Sequence, residues 1–510
     1  MNAPIAEHQV VGTPLRHDSA HLHVAGAAPY ADDIDETHGT LHAAFGLAER
    51  AHANIVSMDL TRVRAAAGVV AVLTAADIPG HNNFGAVAHD DPILAEREVQ
   101  YFGQPLFMVV AQSHELARRA ARLARIEYQN LPAIIEIDDA LLQQSFVLPT
   151  VTLERGDWRG AMASAPHRLR GTLRLGGQEQ FYLEGQIAYA LPREDGDMLV
   201  YSSTQHPSEV QHMVAEALGV SVNRVAIECR RMGGAFGGKE TQPALFAAAA
   251  AVMARHTGRP VKLRADRDDD FLITGKRHDF LVEYEAGFDE EGRIASLDVM
   301  LASRCGYSVD LSGPVNDRAV MHIDNCYFLE NLRVVSHRCR THTQSATAFR
   351  GFGGPQGMLA IENVMDDIAR HLGQDPLEVR RVNFYVPGSR DTTPYEMKVE
   401  DFIADDLVGQ LADEAHYHER REQIRIWNRH SGNLKRGIAL TPVKFGISFT
   451  ATHLNQAGAL VHVYTDGSVL LNHGGTEMGQ GLYIKVAQVV AEELGIGVER
   501  IRVSAAHTGK

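Results

Sequence analysis

Between about Gly39 and Asp139 the apolar positions fall into runs of strand and helix character in alternation. Leu106–Ala111 reads LFMVVA, an unbroken apolar run of strand length, which predicts a buried strand. Ser113 is placed to cap a helix running through Arg125, and Ile126–Tyr128 returns as strand. Gln129–Pro132 reads as a boundary. A second stretch, from about Phe146 to Val386, predicts strands at Met198–Ser202, Val225–Cys229 and Phe280–Glu285, with helices at Ser208–Leu218 and Pro243–His256. A third begins near Glu400 with a charged helical segment. It then turns to a hairpin, Leu460–Tyr464 and Val469–Leu471 around Asp466-Gly467, and to a helix at Tyr483–Leu494. Helices and strands mix without a strict βαβ rhythm, so the predicted fold class is α+β.

A chain of 510 residues is too long for one core and predicts several domains. We place the divisions at 1–139, 140–399 and 400–510. The formal charge of −15 argues against a nucleic-acid partner and against docking on anionic lipid. No run is long enough and apolar enough to span a bilayer, and Met1–Val11 lacks signal-peptide character. These features predict a cytoplasmic protein. No two of Cys229, Cys305, Cys326 and Cys339 stand at C-x-x-C spacing, so buried reduced thiols are expected rather than a metal cluster. His17, His21 and His23 include an H-x-H pair, with no carboxylate or Cys at a spacing that completes a metal site.

Chemistry concentrates in glycine-rich loops that also carry charge and rings. One is Arg231-Met232-Gly233-Gly234-Ala235-Phe236-Gly237-Gly238-Lys239-Glu240, a second Ala348-Phe349-Arg350-Gly351-Phe352-Gly353-Gly354-Pro355-Gln356-Gly357, and a third His473–Gly481. Glycine permits close backbone approach and positive φ, so such loops suit a flat, polar, partly anionic molecule. Gly233 to Lys239 fits the first seven positions of a phosphate-binding P-loop, between strand and helix. The eighth position needs a Ser or Thr hydroxyl for magnesium. Here it is Glu240, which would repel nucleotide phosphate, so nucleotide hydrolysis is set aside.

Taken in order, these loops resemble the molybdenum-binding subunit of the xanthine dehydrogenase family of molybdopterin hydroxylases. So do Gly176-Gly177-Gln178-Glu179-Gln180-Phe181-Tyr182-Leu183-Glu184 and Gly446-Ile447-Ser448-Phe449-Thr450. Gly26-Ala27-Ala28-Pro29-Tyr30-Ala31-Asp32-Asp33 is similar to the opening of the family's N-terminal α/β hammerhead domain. The resemblance covers nearly the whole chain. It implies a hammerhead domain followed by mixed α+β molybdopterin-binding domains, the last of them incomplete at Lys510.

What it implies chemically is a molybdopterin whose dithiolene holds molybdenum with no protein ligand to the metal. The implied reaction is hydroxylation of hypoxanthine and xanthine to urate with oxygen derived from water. By the same resemblance, Gln178 hydrogen-bonds an oxo group. Phe236 and Gly237 bring backbone amides to the cofactor, where fixed dipoles favour anions. Arg350 supports it and Gln480 reaches the pterin or its phosphate. Phe352 and Phe449 sandwich the purine, one ring face-on and one edge-on, with Thr450 beside them. Glu240 and Arg318 hold its opposite ends, the guanidinium stabilising charge that spreads onto the ring. Aldehyde-oxidising relatives replace this polar pair by apolar residues, and carbon monoxide dehydrogenases carry a Cys where this chain has Gly351. Ala235 departs from the family's usual Gly.

The family's general-base Glu is expected past Lys510, so the 510-residue chain alone is expected to be inactive. Iron–sulfur clusters and FAD are expected on a small partner subunit that passes electrons to NAD, in a dimer of heterodimers. An aldehyde oxidase-type enzyme and a truncated assembly module are the competing readings.

Overall fold

The apolar runs become the central strands of an eight-stranded sheet in the computed structural model, which describes residues 9–450, 452 and 455–509. The strands lie in the order Ala506–His507, Val225–Cys229, Met198–Ser202, Ile187–Pro192, Val261–Arg264, Leu41–Leu47, Pro105–Ala111, Val69–Leu73. All three stretches of the chain therefore contribute to one sheet. Leu41–Ala43 pairs in parallel with Val261–Leu263, and Ala506 and His507 close the far edge against Cys229 and Glu228. Pro105–Ala111 is buried along its whole length, as an unbroken apolar run between two paired neighbours requires.

Two helices cover one face of this sheet. Pro207–Leu218 starts with Pro at its first turn and ends on Gly219 at φ 65°, the left-handed stop that glycine supplies. Pro243–Thr257 is buried from Pro243 through Ala254, so its Ala-rich sequence serves close helix–sheet contact on every side. Together they enclose a core that includes Met108, Val200, Ile227 and Phe246. On the other side Ser113 accepts a hydrogen bond from Leu116 N–H and caps a helix, but that helix stops at Ala121. Arg125–Asn130 is instead a strand, paired antiparallel with Ala53–Asp59. The alternation of apolar and polar side chains from Arg125 onward favours the period of two over the helical one.

A five-stranded sheet runs Phe146–Arg155, Leu332–Arg340, Ile294–Gly306, Phe280–Phe288, His167–Leu175. Helices Ser312–Met321 and Gly354–Leu372 pack on it through Ala319, Val320, Ile361 and Ile368. The charged segment after Glu400 forms helices Ala404–Glu414 and Tyr417–His430. The predicted hairpin is Ala459–Val463 with Val469–His473, joined in parallel by Ile501–Val503 and followed by helix Leu482–Leu494. All four cysteines are buried and free. The His21–His23 pair lies on a short helix, Ala20–Val24, not on a strand. Among the described residues no helix is long and apolar enough to cross a membrane.

Candidate active site

The first glycine loop is built from its buried lysine outward. Lys239 is fully buried and faces the interior, where its ammonium lies 3.3 Å from a Glu184 oxygen and donates to Ser203 Oγ at 2.8 Å. Burial pulls its pKa below the ordinary lysine value against the attraction of Glu184. Glu184 also accepts from Gly233 N–H (2.8 Å), Ala31 N–H (3.0 Å) and Ser203 Oγ (2.7 Å). A P-loop lysine must reach a phosphate; this one anchors the loop to the core, which removes the remaining support for nucleotide binding.

With the lysine turned inward, Phe236 turns outward. It has φ 54° and its ring is 44% exposed. Gly237 follows at φ 96°, and a Cβ there would meet the Ala348 backbone at 2.8 Å, so only glycine lets the first and second loops touch. Its N–H is already donated to Gln205 Oε1 at 2.9 Å. Phe236 O accepts from Arg350 N–H at 2.9 Å. Arg350 O in turn accepts from Arg277 Nη2 at 2.9 Å, and Arg277 Nε donates to Gln178 Oε1 at 2.7 Å. Phe236, Arg350 and Gln178 thus form one hydrogen-bonded chain, with Arg277 as the link.

Phe236 also lines a cavity of about 830 Å³, together with Gly233, Gly234, Arg231, Arg267, Met478 and Gly479. The third loop reaches this cavity because Met232 N–H donates to Glu477 O at 2.9 Å. The buried Glu477 carboxylate accepts from the N–H groups of Gly479, Gly481 and Tyr483 and meets His17 Nε2 at 3.3 Å. These hydrogen bonds hold its pKa below the usual range although burial opposes them. Gln480 folds back on the same loop, accepting from Met478 N–H and donating to Thr476 O. Its side chain closes the turn instead of facing the cavity.

The wall formed by the glycine loops suits a flat pterin, while the rest of the lining mixes Arg231, Arg264 and Arg267 with Asp32, Asp33, Asp266, Glu184 and Glu477. An exposed ring and glycine backbones offer a flat wall, and a side chain at Gly479 (φ 103°) would project into open space. Arg267 lines the cavity with its guanidinium held in the wall: Nη1 lies 3.6 Å from the buried Asp270 carboxylate and Nη2 donates to Tyr182 O.

The expected substrate residues meet elsewhere, around helix Ser312–Met321. The second loop lies so close to this helix that a Cβ on Gly353 (φ 91°) would fall 1.9 Å from Val315 O. That approach places the Phe352 ring 5.3 Å from Phe449, tilted by 51°. At that tilt the two rings do not offer parallel faces, so a flat ring beside them would meet one face and one edge. Arg318 is buried, its guanidinium 5.7 Å from the Phe352 ring. Nη1 and Nη2 donate to the carbonyls of Gly446 and Ser448, and Nε has no hydrogen-bond partner among the described residues. Thr450 Oγ1 donates to Pro314 O at 3.1 Å. Segment Pro442–Thr450 is a strap latched to the helix end. Asn325 Nδ2 donates to Pro442 O, Lys444 N–H to Asn325 Oδ1, and Gly446 N–H to His322 Nε2 at 3.0 Å.

Glu240 ends the first loop beside the His206–Glu209 ion pair, whose atoms lie 3.1 Å apart. Burial pushes its carboxyl up to about 7; the Glu209 charge adds to this and His206 opposes it. A carboxyl poised there can donate or accept a hydrogen bond near neutrality.

Glu184, Arg277 and His322 had no role in the sequence reading. Glu184 stands inside a quoted motif, a usable signal. Arg277 sits in Lys276-Arg277-His278, which reads as an ordinary basic surface.

The domain signatures agree with this architecture. The "aldehyde oxidase and xanthine dehydrogenase, a/b hammerhead domain" matches residues 25–132, and "molybdopterin cofactor-binding domain" families match 142–384 and 410–510. Xanthine dehydrogenase/oxidase of Gallus gallus is 44% identical over 499 residues, covering 98% of this chain and 36% of that protein. The Drosophila subobscura xanthine dehydrogenase is 43% identical over 504 residues, covering 98% and 37%. Aldehyde oxidoreductase from Desulfovibrio gigas superimposes with a TM-score of 0.85 at 25% identity, over 99% of this chain and 57% of that one. CO dehydrogenase from Oligotropha carboxidovorans shares the fold, with a TM-score of 0.84 at 20% identity over 99% and 68%. Fold and loops define a molybdopterin-binding protein of the molybdenum hydroxylase class. The chain belongs to the aldehyde oxidase and xanthine dehydrogenase family, as its molybdenum-binding part. It spans little more than a third of the length of the curated relatives it matches.

Proposed function

We propose that this chain is the molybdenum-binding part of a xanthine dehydrogenase that oxidises hypoxanthine and xanthine to urate. The observation that carries the reading is the Arg318 guanidinium beside the Phe352–Phe449 pair, with the Glu240 carboxyl on the adjoining loop. Aromatic edges favour a flat heterocycle. A cation placed there stabilises negative charge spreading over the ring in the transition state. Glu240, able to carry or release a proton near neutrality, can pair with ring nitrogens and orient the substrate.

Molybdopterin, when bound, supplies a redox centre that takes up two electrons. Phe236, with the Gly233-Gly234 backbone and Arg267, would hold the pterin. Gln178 and Arg350 would flank the metal end. Gln480 would support the cofactor by shaping its own loop. The overall change balances as hypoxanthine plus water giving xanthine, two protons and two electrons, and likewise from xanthine to urate. The electrons call for a partner carrying iron–sulfur clusters and FAD, with NAD as acceptor, in a dimer of heterodimers.

The test compares kcat/KM for xanthine and for benzaldehyde in the full-length protein and in an Arg318→Met, Glu240→Val double variant. Loss of the guanidinium should lower the xanthine value by about 2–4 kcal/mol of transition-state stabilisation, while benzaldehyde turnover holds or rises. Equal losses for both substrates would remove the purine assignment.

A further inference from the structure

Arg277 makes three directed contacts with the wall around Gln178. Its Nε donates to Gln178 Oε1 at 2.7 Å, its Nη2 to Arg350 O at 2.9 Å, and its guanidinium carbon lies 3.9 Å from the centre of the Phe349 ring. Its own N–H also donates to Gln178 O, at 3.0 Å, so both the main chain and the side chain of Gln178 are fixed by one residue. Among the described residues no carboxylate pairs with it. Burial alone lowers its pKa, to about 10, and Nη1 is buried with no hydrogen-bond partner.

Two consequences follow from elementary hydrogen-bond chemistry. A guanidinium is only a donor, so the atom of Gln178 that faces Nε is the amide oxygen, and the amide NH₂ is turned the other way as a donor. A half-buried cation beside the amide oxygen also strengthens that donor by polarising the amide. A lysine cannot do both jobs, because it lacks the planar fork that reaches two acceptors at once.

We infer that Arg277 is a positioning residue that fixes the amide of Gln178 as a hydrogen-bond donor toward the metal end of the cofactor site. The inference rests on the cofactor reading above but not on the choice of purine. It acts through Gln178 and touches neither substrate nor pterin.

The experiment uses the full-length holoenzyme, with Arg277→Met, Arg277→Lys and Gln178→Ala variants and the Arg277→Met/Gln178→Ala double variant. Molybdenum content, the Mo(V) electron paramagnetic resonance spectrum and steady-state kinetics are measured on each. Arg277→Met should retain molybdenum, shift the Mo(V) g values and lower kcat about tenfold with KM unchanged, a usual effect for an outer-shell partner of a metal site. Arg277→Lys should lie between. In the Gln178→Ala background, Arg277→Met should shift the spectrum no further. An unchanged spectrum in Arg277→Met, or a shift that persists undiminished without Gln178, overturns the proposal. Should Arg277→Met fail to fold, an unchanged spectrum in Arg277→Lys overturns it equally. The spectrum needs no purine, so a failure of the substrate assignment alone leaves this result readable. A wild-type protein without molybdenum would instead overturn the cofactor reading and this inference with it.

Discussion

The loop Gly233–Glu240 and the strap Pro442–Thr450 each border the candidate site, and they are held in opposite ways. The loop is fastened from beneath by a fully buried Lys239–Glu184 pair and by Gln186 Nε2 donating to Gly238 O at 2.8 Å. The strap shows its apolar side chains to solvent, Ile447 at 89% and Val443 at 68% exposure. It is fastened mainly through its backbone, by the buried side chains of Arg318, His322 and Asn325, with Lys444 Nζ on the buried Asp324 carboxylate at 2.7 Å. A segment whose own side chains are buried in the core opens only when the core opens. One that keeps its apolar side chains in solvent and is gripped mainly through its backbone opens at less cost. The cofactor wall is therefore part of the fold, and the aromatic pair depends on a separable element.

The largest effect should come from breaking the loop's anchor. Lys239→Met leaves the Glu184 carboxylate buried without its cation and should lower global stability by about 3–5 kcal/mol. Urea denaturation measures it, and a loss under 1 kcal/mol would mean that the loop is not core-held. Comparable in size but confined to the strap is Arg318→Met, which deletes two charged hydrogen bonds, each about 1.5–3 kcal/mol. The strap should then be cut faster by a nonspecific protease while the urea midpoint barely moves. A matching fall in the midpoint would erase the distinction drawn here.

His322 gives a pH-dependent version of the same test. Gly446 N–H can only donate, so Nε2 must be an unprotonated acceptor while Nδ1–H donates to Arg318 O. Burial holds the ring down to about 4, below its ordinary 6.5. Above pH 6.5 the ring is neutral whether latched or released, and the latch is at full strength. Between 6.5 and 4 the released ring takes up a proton first, so the strap should loosen as pH falls through that window. Proteolysis of the strap across this range reads the change, and His322→Asn should flatten it. The smallest effect is Thr450→Val. It removes one hydrogen bond to Pro314 O and should ease strap opening by about 0.5–1.5 kcal/mol, again read by protease.

Local elements were legible where one periodicity dominates. Met198–Ser202 and Val225–Cys229 were predicted at their observed bounds, and Pro243–Thr257 to within one residue. The helix after Ser113 was drawn too long because its basic residues continue into a strand whose partner, Ala53–Asp59, lies about 70 positions earlier. The glycine loops were recognisable because glycine beside rings and charges is a local signal. The direction of Lys239, the folding-back of Gln480 and the link through Arg277 were not. The first and last depend on partners far along the chain, Glu184 and Gln178, and Gln480 depends on the exact turn of its own loop around Thr476 and Met478, which residue pattern does not encode.

The eight-stranded sheet sets an order of events during synthesis. Leu41–Leu47 emerges early, but its parallel neighbour Val261–Arg264 follows more than two hundred residues later. Val225–Cys229 waits longer still for Ala506–His507 to cover its outer edge. Through that interval the nascent chain carries uncovered strand edges, which are open to wrong pairing. Sequence-distant pairing of this kind also slows folding itself. Maturation of this protein should accordingly be more sensitive than its finished fold to temperature and chaperone supply.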